Sequence, residues 1–189
     1  MIDYTKYRWF VTSGKTIVVG GKNATQNDAL LKEILASSKD YYVMHTSAPG
    51  SPFAVLLKEP ARVSSDELEE SAIFTACFSQ AWKSRKKRAF VDVFQSGQLS
   101  KEPSMKTGTW RVRGKTKRIS VLLELALIKQ RGTLRAVPLK TAVRPLMCIV
   151  PGTIDKVDMA AQFGVELGDS FAHDEIVAAL PAGGVKKRT

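Results

Sequence analysis

The chain reads as an α+β protein: a mixed, largely antiparallel sheet with two main helices, followed by a smaller C-terminal α/β extension. Three observations carry that reading. Paired β-rich segments recur as hairpins, helix-start signals stand at Asn23 and Ser64, and strands and helices mix without strict βαβ alternation. With 44% apolar residues and eight prolines in 189, the chain can bury a core and is not disordered in bulk.

In order along the chain, Tyr7–Thr12 and Thr16–Val19 are β-like runs around a Ser13-Gly14 turn, which predicts a hairpin. Gly20-Gly21 ends it. Asn23 is a good N-cap for a helix over 24–37, with Leu30, Leu31, Ile34 and Leu35 as its apolar stripe. Asp40–His45 and Phe53–Leu57 read as strands around a Pro-Gly-Ser loop. Ser64 and Glu67 form a capping box, and a helix is expected over 65–84 with Phe74, Phe78 and Trp82 lined up towards the core. Ala89–Phe94 and Thr109–Arg113 are further strands; the second alternates Trp110 and Val112 against Arg111 and Arg113. Beyond residue 118, Ser120–Ile128 and Thr133–Val137 predict a second hairpin, and Leu146–Val150 a strand capped by Pro151-Gly152. Short helices near 155–167 and 174–180 follow, and residues 182–189 read as a mobile basic tail. The expected domains are therefore 1–118 and 119–189.

Charge is concentrated. The chain carries a net +11, and residues 83–118 hold twelve Lys or Arg against Asp92 and Glu102, a local net of +10. A positive field confined to one window is what a polyanion responds to, and nucleic acid is the first expectation. No apolar run approaches the ~18 residues of a membrane span, since Glu124 interrupts the longest, Val121–Ile128. The opening Met-Ile-Asp-Tyr-Thr-Lys lacks the apolar core of a signal peptide. Cys77 and Cys148 lie in apolar sequence and read as buried thiols of a reducing compartment. The expected location is cytoplasmic. His45, His173, Cys77 and Cys148 have no metal-ligand spacing, so no metal and no cofactor are expected.

Four ordered blocks carry a resemblance. Tyr7-Arg8-Trp9-Phe10-Val11-Thr12-Ser13 is followed by Val19-Gly20-Gly21-Lys22-Asn23-Ala24 and Gln26-Asn27-Asp28. Then come Asp40–His45 with Pro49-Gly50-Ser51, Leu68–Ala72 with Ser79–Trp82, and Gly108–Lys115. Together, over roughly residues 4–118, they resemble the NFACT-R domain, the RNA-binding domain of proteins of the nuclear export mediator factor and RqcH type. The resemblance implies an RNA-binding module in ribosome-associated quality control, with tRNA or rRNA and the large ribosomal subunit as partners. The large N-terminal domain, helix-hairpin-helix segment and coiled coil of full-length members have no counterpart in these 189 residues. Independent tailing activity is therefore not carried over, and a partner chain could supply the missing parts.

The candidate nucleic-acid-binding residues are Lys83, Arg85, Lys86, Lys87 and Arg88 at the expected helix end, Lys101 and Lys106, and Arg111, Arg113 and Lys115 on the strand and its turn. Lysine offers phosphates a mobile point charge and arginine a bidentate grip. The family-like motifs add the loop positions Lys22, Asn27, Asp40, His45, Gly50 and Ser51. Gly20-Gly21-Lys22-Asn23 is favoured as an ordinary strand–helix turn over a phosphate-binding loop. His45 and Ser51 admit a hydrolytic reading, but Asp40 and His45 differ by an odd number along one strand and should face apart. His45 is expected instead to hydrogen-bond the loop after it and hold Gly50-Ser51 in shape. The function expected is a non-catalytic RNA-binding module; the alternatives are a basic adaptor for DNA or acidic protein, and a hydrolase using His45 and Ser51. Trp9 and Phe10 are expected in the core.

Overall fold

In the computed structural model, which describes residues 2–168 and 170–188, the first hairpin forms as expected. Strands β1 (Arg8–Val11) and β2 (Ile17–Gly20) pair antiparallel around the Ser13-Gly14 turn. Helix α1 (Ala24–Leu35) starts at Asn23, whose side chain accepts a hydrogen bond from Gln26 N. Strands β3 (Tyr42–Thr46) and β4 (Ala54–Leu56) follow. Ser64 and Glu67 close the expected capping box at the start of α2 (Ser65–Cys77).

That helix does not run to residue 84. It breaks at Phe78, and Ser79 caps a separate short helix, α3 (Gln80–Lys83). The Ser79 hydroxyl satisfies Ala81 N and donates to Ala76 O, so a side chain supplies the hydrogen bonds a continuous helix would have made itself. The Phe74–Phe78–Trp82 line is correspondingly split: Phe74 and Trp82 are fully buried but in different apolar clusters, and Phe78 is only half-buried.

Strand β5 (Arg88–Gln95) leads to a two-stranded ribbon of β6 (Leu99–Ser100) and β7 (Arg111–Val112), shorter than the Thr109–Arg113 strand expected. The expected Ser120–Ile128 strand is two strands in two sheets. Strand β8 (Lys117–Leu122) pairs with β5 and completes a six-stranded antiparallel sheet in the order β1-β2-β4-β3-β5-β8. Residue 118 thus lies inside that sheet's last strand. After Leu123-Glu124 the chain crosses to β9 (Leu125–Gln130) and β10 (Thr133–Pro138), the second hairpin.

Strand β11 (Met147–Asp155) is not capped by Pro151-Gly152 but continues through them across a bulge. Helices α4 (Lys156–Glu166) and α5 (His173–Ala179) follow. The expected mobile tail is instead strand β12 (Gly184–Lys187), paired with β11; Thr189 lies outside the described residues. Val185 is fully buried and the Trp82 indole N–H donates to Gly184 O at 3.0 Å, so burial outweighs the tail's basic composition. The pairing needs glycine: a Cβ on Gly184 would lie 2.2 Å from Gly152 O.

The layers follow from side-chain alternation. Trp9, Val19, Val43 and Phe94 on one face of the six-stranded sheet pack with Leu30, Leu31 and Ile34 of α1. The other face meets α2, with Phe10, Val18 and Leu56 around Phe74. Ala126 and Val137 of the four-stranded sheet, ordered β10-β9-β11-β12, join that same cluster, so α2 is sandwiched between the sheets. Leu127, Leu134 and Ala136, on the opposite face, share a cluster with Met159 and Phe163 of α4 and Ile176 of α5.

A candidate nucleic-acid interface

A cleft of about 750 Å³ opens at the end of the six-stranded sheet where β1 and β4 begin and β2 and β3 end. Three loops and the α2–α3 break wall it. Lys22, Asn27, His45, Gly50, Ser51 and Lys83 line it, together with Arg8, Phe78 and Trp110, which the sequence reading did not single out as site residues.

Each wall has a physical cause. The turn before α1 is held by Lys22 N, which donates to Gln26 Oε1 at 3.0 Å, so it is an ordinary strand–helix turn whose amide is already used. Asn27 Oδ1 accepts from Phe53 N at 3.1 Å and joins α1 to the start of the β4 region. His45 bonds Thr46, the residue that leads into the loop after it, as expected, but Gly50-Ser51 are held by others: Thr46 N donates to Ser51 Oγ at 2.9 Å, and Gln80 N of α3 donates to Gly50 O at 2.7 Å. Gly50 has φ +92° and a Cβ there would sit 3.1 Å from Gln80 Cβ, so the loop requires glycine.

His45 donates from Nδ1 to Thr46 O at 2.7 Å and packs against Phe53 with ring centroids 4.5 Å apart and planes tilted by 37°. Burial lowers its pKa below the ordinary histidine value, against the opposing pull of the Thr46 carbonyl and Asp92. Ser51 Oγ donates to Pro52 O at 3.1 Å. Asp40 stands before the other end of β3 and accepts from Gly97 N at 3.1 Å and from the Ser96 hydroxyl. Asp40, His45 and Ser51 therefore do not form a relay, and each is committed to a structural hydrogen bond. Among the described residues no three His, Cys, Asp or Glu side chains gather to hold a metal ion, and no helix is long and apolar enough to cross a membrane.

The basic window is divided. Lys83 enters the cleft, while Lys86 and Arg88 line an adjoining recess of about 460 Å³ beside Phe90, which is 57% exposed. The register places Arg88, Phe90 and Asp92 of β5 opposite Leu122, Ser120 and Arg118 of β8, all on one face. Arg88 Nε donates to Ser120 Oγ at 3.2 Å, and Arg118 is bidentate on Asp92 at 2.7 and 3.1 Å. Arg88 and Arg118 thus share one sheet face, with Arg118 already paired to Asp92. Lys101 is withdrawn from it, bound to Asp28, and Arg111 pairs with Glu102 at 2.8 Å. Arg85, Lys87, Lys106, Arg113 and Lys115 are exposed and do not line the cleft. Gln98 Nε2 donates to Arg113 O and Lys115 O and holds their turn. Trp9 and Phe10 are buried, as expected.

Asp28 explains why the Lys101 segment sits where it does. It also accepts from Gly108 N at 3.0 Å and Trp110 Nε1 at 2.8 Å, which clamps the cleft's Trp110 wall to α1. Burial alone would raise its pKa, but the Lys101, Trp110 and Gly108 donors hold it below the ordinary carboxylate value.

Comparison with known proteins agrees with this architecture. Residues 6–114 match the NFACT protein RNA binding domain. An archaeal Rqc2 homolog, aRqcH of Methanocaldococcus jannaschii, is 36% identical over 80 residues, covering 42% of this chain and 12% of that protein. The ribosome quality control complex subunit NEMF of Homo sapiens is 27% identical over 117 residues, 59% of this chain and 11% of the relative. The chain therefore matches only about an eighth of the length of these curated relatives. The structure of the C-terminal of the fibronectin/fibrinogen-binding protein from Streptococcus suis superimposes with a TM-score of 0.54 at 28% identity, covering 61% of this chain and 44% of that one. With more than half of its residues matched by the family's model, this chain belongs to the NFACT protein RNA binding domain family.

Proposed function

We propose that this protein is a non-catalytic RNA-binding module that engages tRNA or rRNA at the large ribosomal subunit, in cytoplasmic ribosome-associated quality control. The observation that carries the reading is the cleft lined by Arg8, Lys22 and Lys83 within the family-matched residues. It adjoins a recess lined by Lys86 and Arg88. Lys83, Arg113 and Lys115 contribute charge to the approach, and the Gly50-Ser51 loop shapes the backbone contact. The relatives named as ribosome quality control factors support the assignment to that process.

Titration of fluorescein-labelled tRNA and an rRNA fragment at several salt concentrations tests the proposal. Binding should weaken linearly in log–log form, with a slope of about −0.7 to −0.9 per phosphate neutralised. Lys83→Glu and Arg113→Glu/Lys115→Glu should each weaken binding more than Lys39→Glu, which is exposed and away from the cleft. A flat salt response, or equal displacement by duplex DNA and polyglutamate, would replace this reading with a charge-only adaptor.

A further inference from the structure

Four cations far apart in sequence act on one another at the Arg8 side of the cleft: Arg8 on β1 and Lys22 before α1 line it, Arg135 comes from β10, which packs against β1, and Lys156 stands at the start of α4. Alternation turns Arg135 to the same face as Val137, towards the six-stranded sheet. Its guanidinium carbon lies 4.0 Å from the Trp9 ring centroid, and that of Arg8 lies 4.3 Å from the Phe78 ring. Each guanidinium is thus held against an aromatic ring by a cation–π contact.

Among the described residues no carboxylate lies within 4.0 Å of any of the four cations. Arg135 Nε is buried without a hydrogen-bond partner. Glu175 and Asp155 offset part of the charge on Arg135 and Lys156 from a distance, while accepting from Leu134 N and Val157 N, each at 2.9 Å. Lys156 spends one donor on Val177 O at 3.2 Å. Burial first, and then the nearby Arg135, lower the Arg8 pKa to about 10. Burial and the Arg8 charge likewise lower Lys22 and Lys156. Holding these cations together with no carboxylate in contact is unfavourable, and an incoming phosphate relieves the repulsion.

We propose that Arg8, Lys22, Arg135 and Lys156 form a phosphate-binding site for the RNA backbone, assembled across both sheets. The four-stranded sheet and α4, outside the family match, are then part of the RNA interface. This rests on the RNA-binding reading above, and the test separates the two.

Arg135→Met preserves apolar reach over Trp9 and removes the charge. RNA-hairpin affinity should fall roughly tenfold at low salt, and the salt slope should become shallower by about 0.7–0.9. Thermal stability should be unchanged or higher, because an uncompensated charge has gone. Arg135→Lys should lie between, and Lys39→Met should alter neither readout. Lower stability with unchanged RNA affinity and slope would overturn the proposal and make Arg135 a packing residue, leaving the RNA-binding reading intact. If the wild type binds no RNA, the RNA reading fails and inorganic pyrophosphate decides the site by thermal shift. Stabilisation that Arg135→Met abolishes would support it, and no stabilisation of the wild type would overturn it.

Discussion

The Lys101 ammonium lies 2.8 and 2.7 Å from the two carboxylate oxygens of Asp28, across 73 residues of sequence. Both side chains are mostly buried, 17% and 12% exposed. A lysine in the basic window is therefore a fastener between α1 and the 99–112 segment. Lys101→Met should cost about 3 kcal/mol, because Asp28 keeps its buried charge and loses its cation. Urea denaturation checks the cost. Unchanged stability with lost RNA binding would return Lys101 to the interface.

Glu67 gives stability a defined acid limit. Burial would raise its pKa, yet Thr16, Lys58 and Ser64 donate to it and lower it from 4.5 to about 2. The carboxylate is thus more acidic in the folded chain than in the unfolded one. Its contribution is complete above pH 4.5 and is lost as pH falls towards about 2. Glu67→Gln should cost about 1–3 kcal/mol at neutral pH and flatten the stability curve through that acid window. Thermal melts across pH measure both effects.

Gly50→Ala tests the cleft loop. A side chain at φ +92° is strained and meets Gln80 Cβ, at a loss of about 1–3 kcal/mol. RNA affinity should fall as the 47–52 loop shifts. Gly97→Ala is the control, since a Cβ there meets nothing within 4 Å. Equal effects from both substitutions would remove the loop from the interface.

Ending the chain at residue 183 should be destabilising by about 3 kcal/mol, since it uncovers Trp82 and removes buried Val185. Tryptophan emission should shift to the red, with Trp82 losing its acceptor at Gly184 O. A truncated protein with native emission and melting would show that residues 184–188 behave as the free tail their composition suggests.

Features set by neighbouring residues were legible in the sequence. The first hairpin, the Asn23 cap, the Ser64–Glu67 capping box and the four family-like blocks all depend on spacings of a few residues. So did the alternation that turns Arg111 outward while Trp110 and Val112 are half-buried. Tertiary structure decided the rest, because its causes lie far apart along the chain. Ser79 splits the central helix so that α3 can hold the Gly50 loop. Lys186 and Lys187 sit in a strand because β11 offers a partner and Val185 a place in the core. Charge counting found a basic window but not which cations are already spent: Asp28 takes Lys101, Asp92 takes Arg118, and Glu102 takes Arg111. It also passed over Arg8 and Arg135, which become a pair only when β1 and β10 approach. A charge's availability depends on its three-dimensional partners and desolvation, and neither is encoded by local spacing.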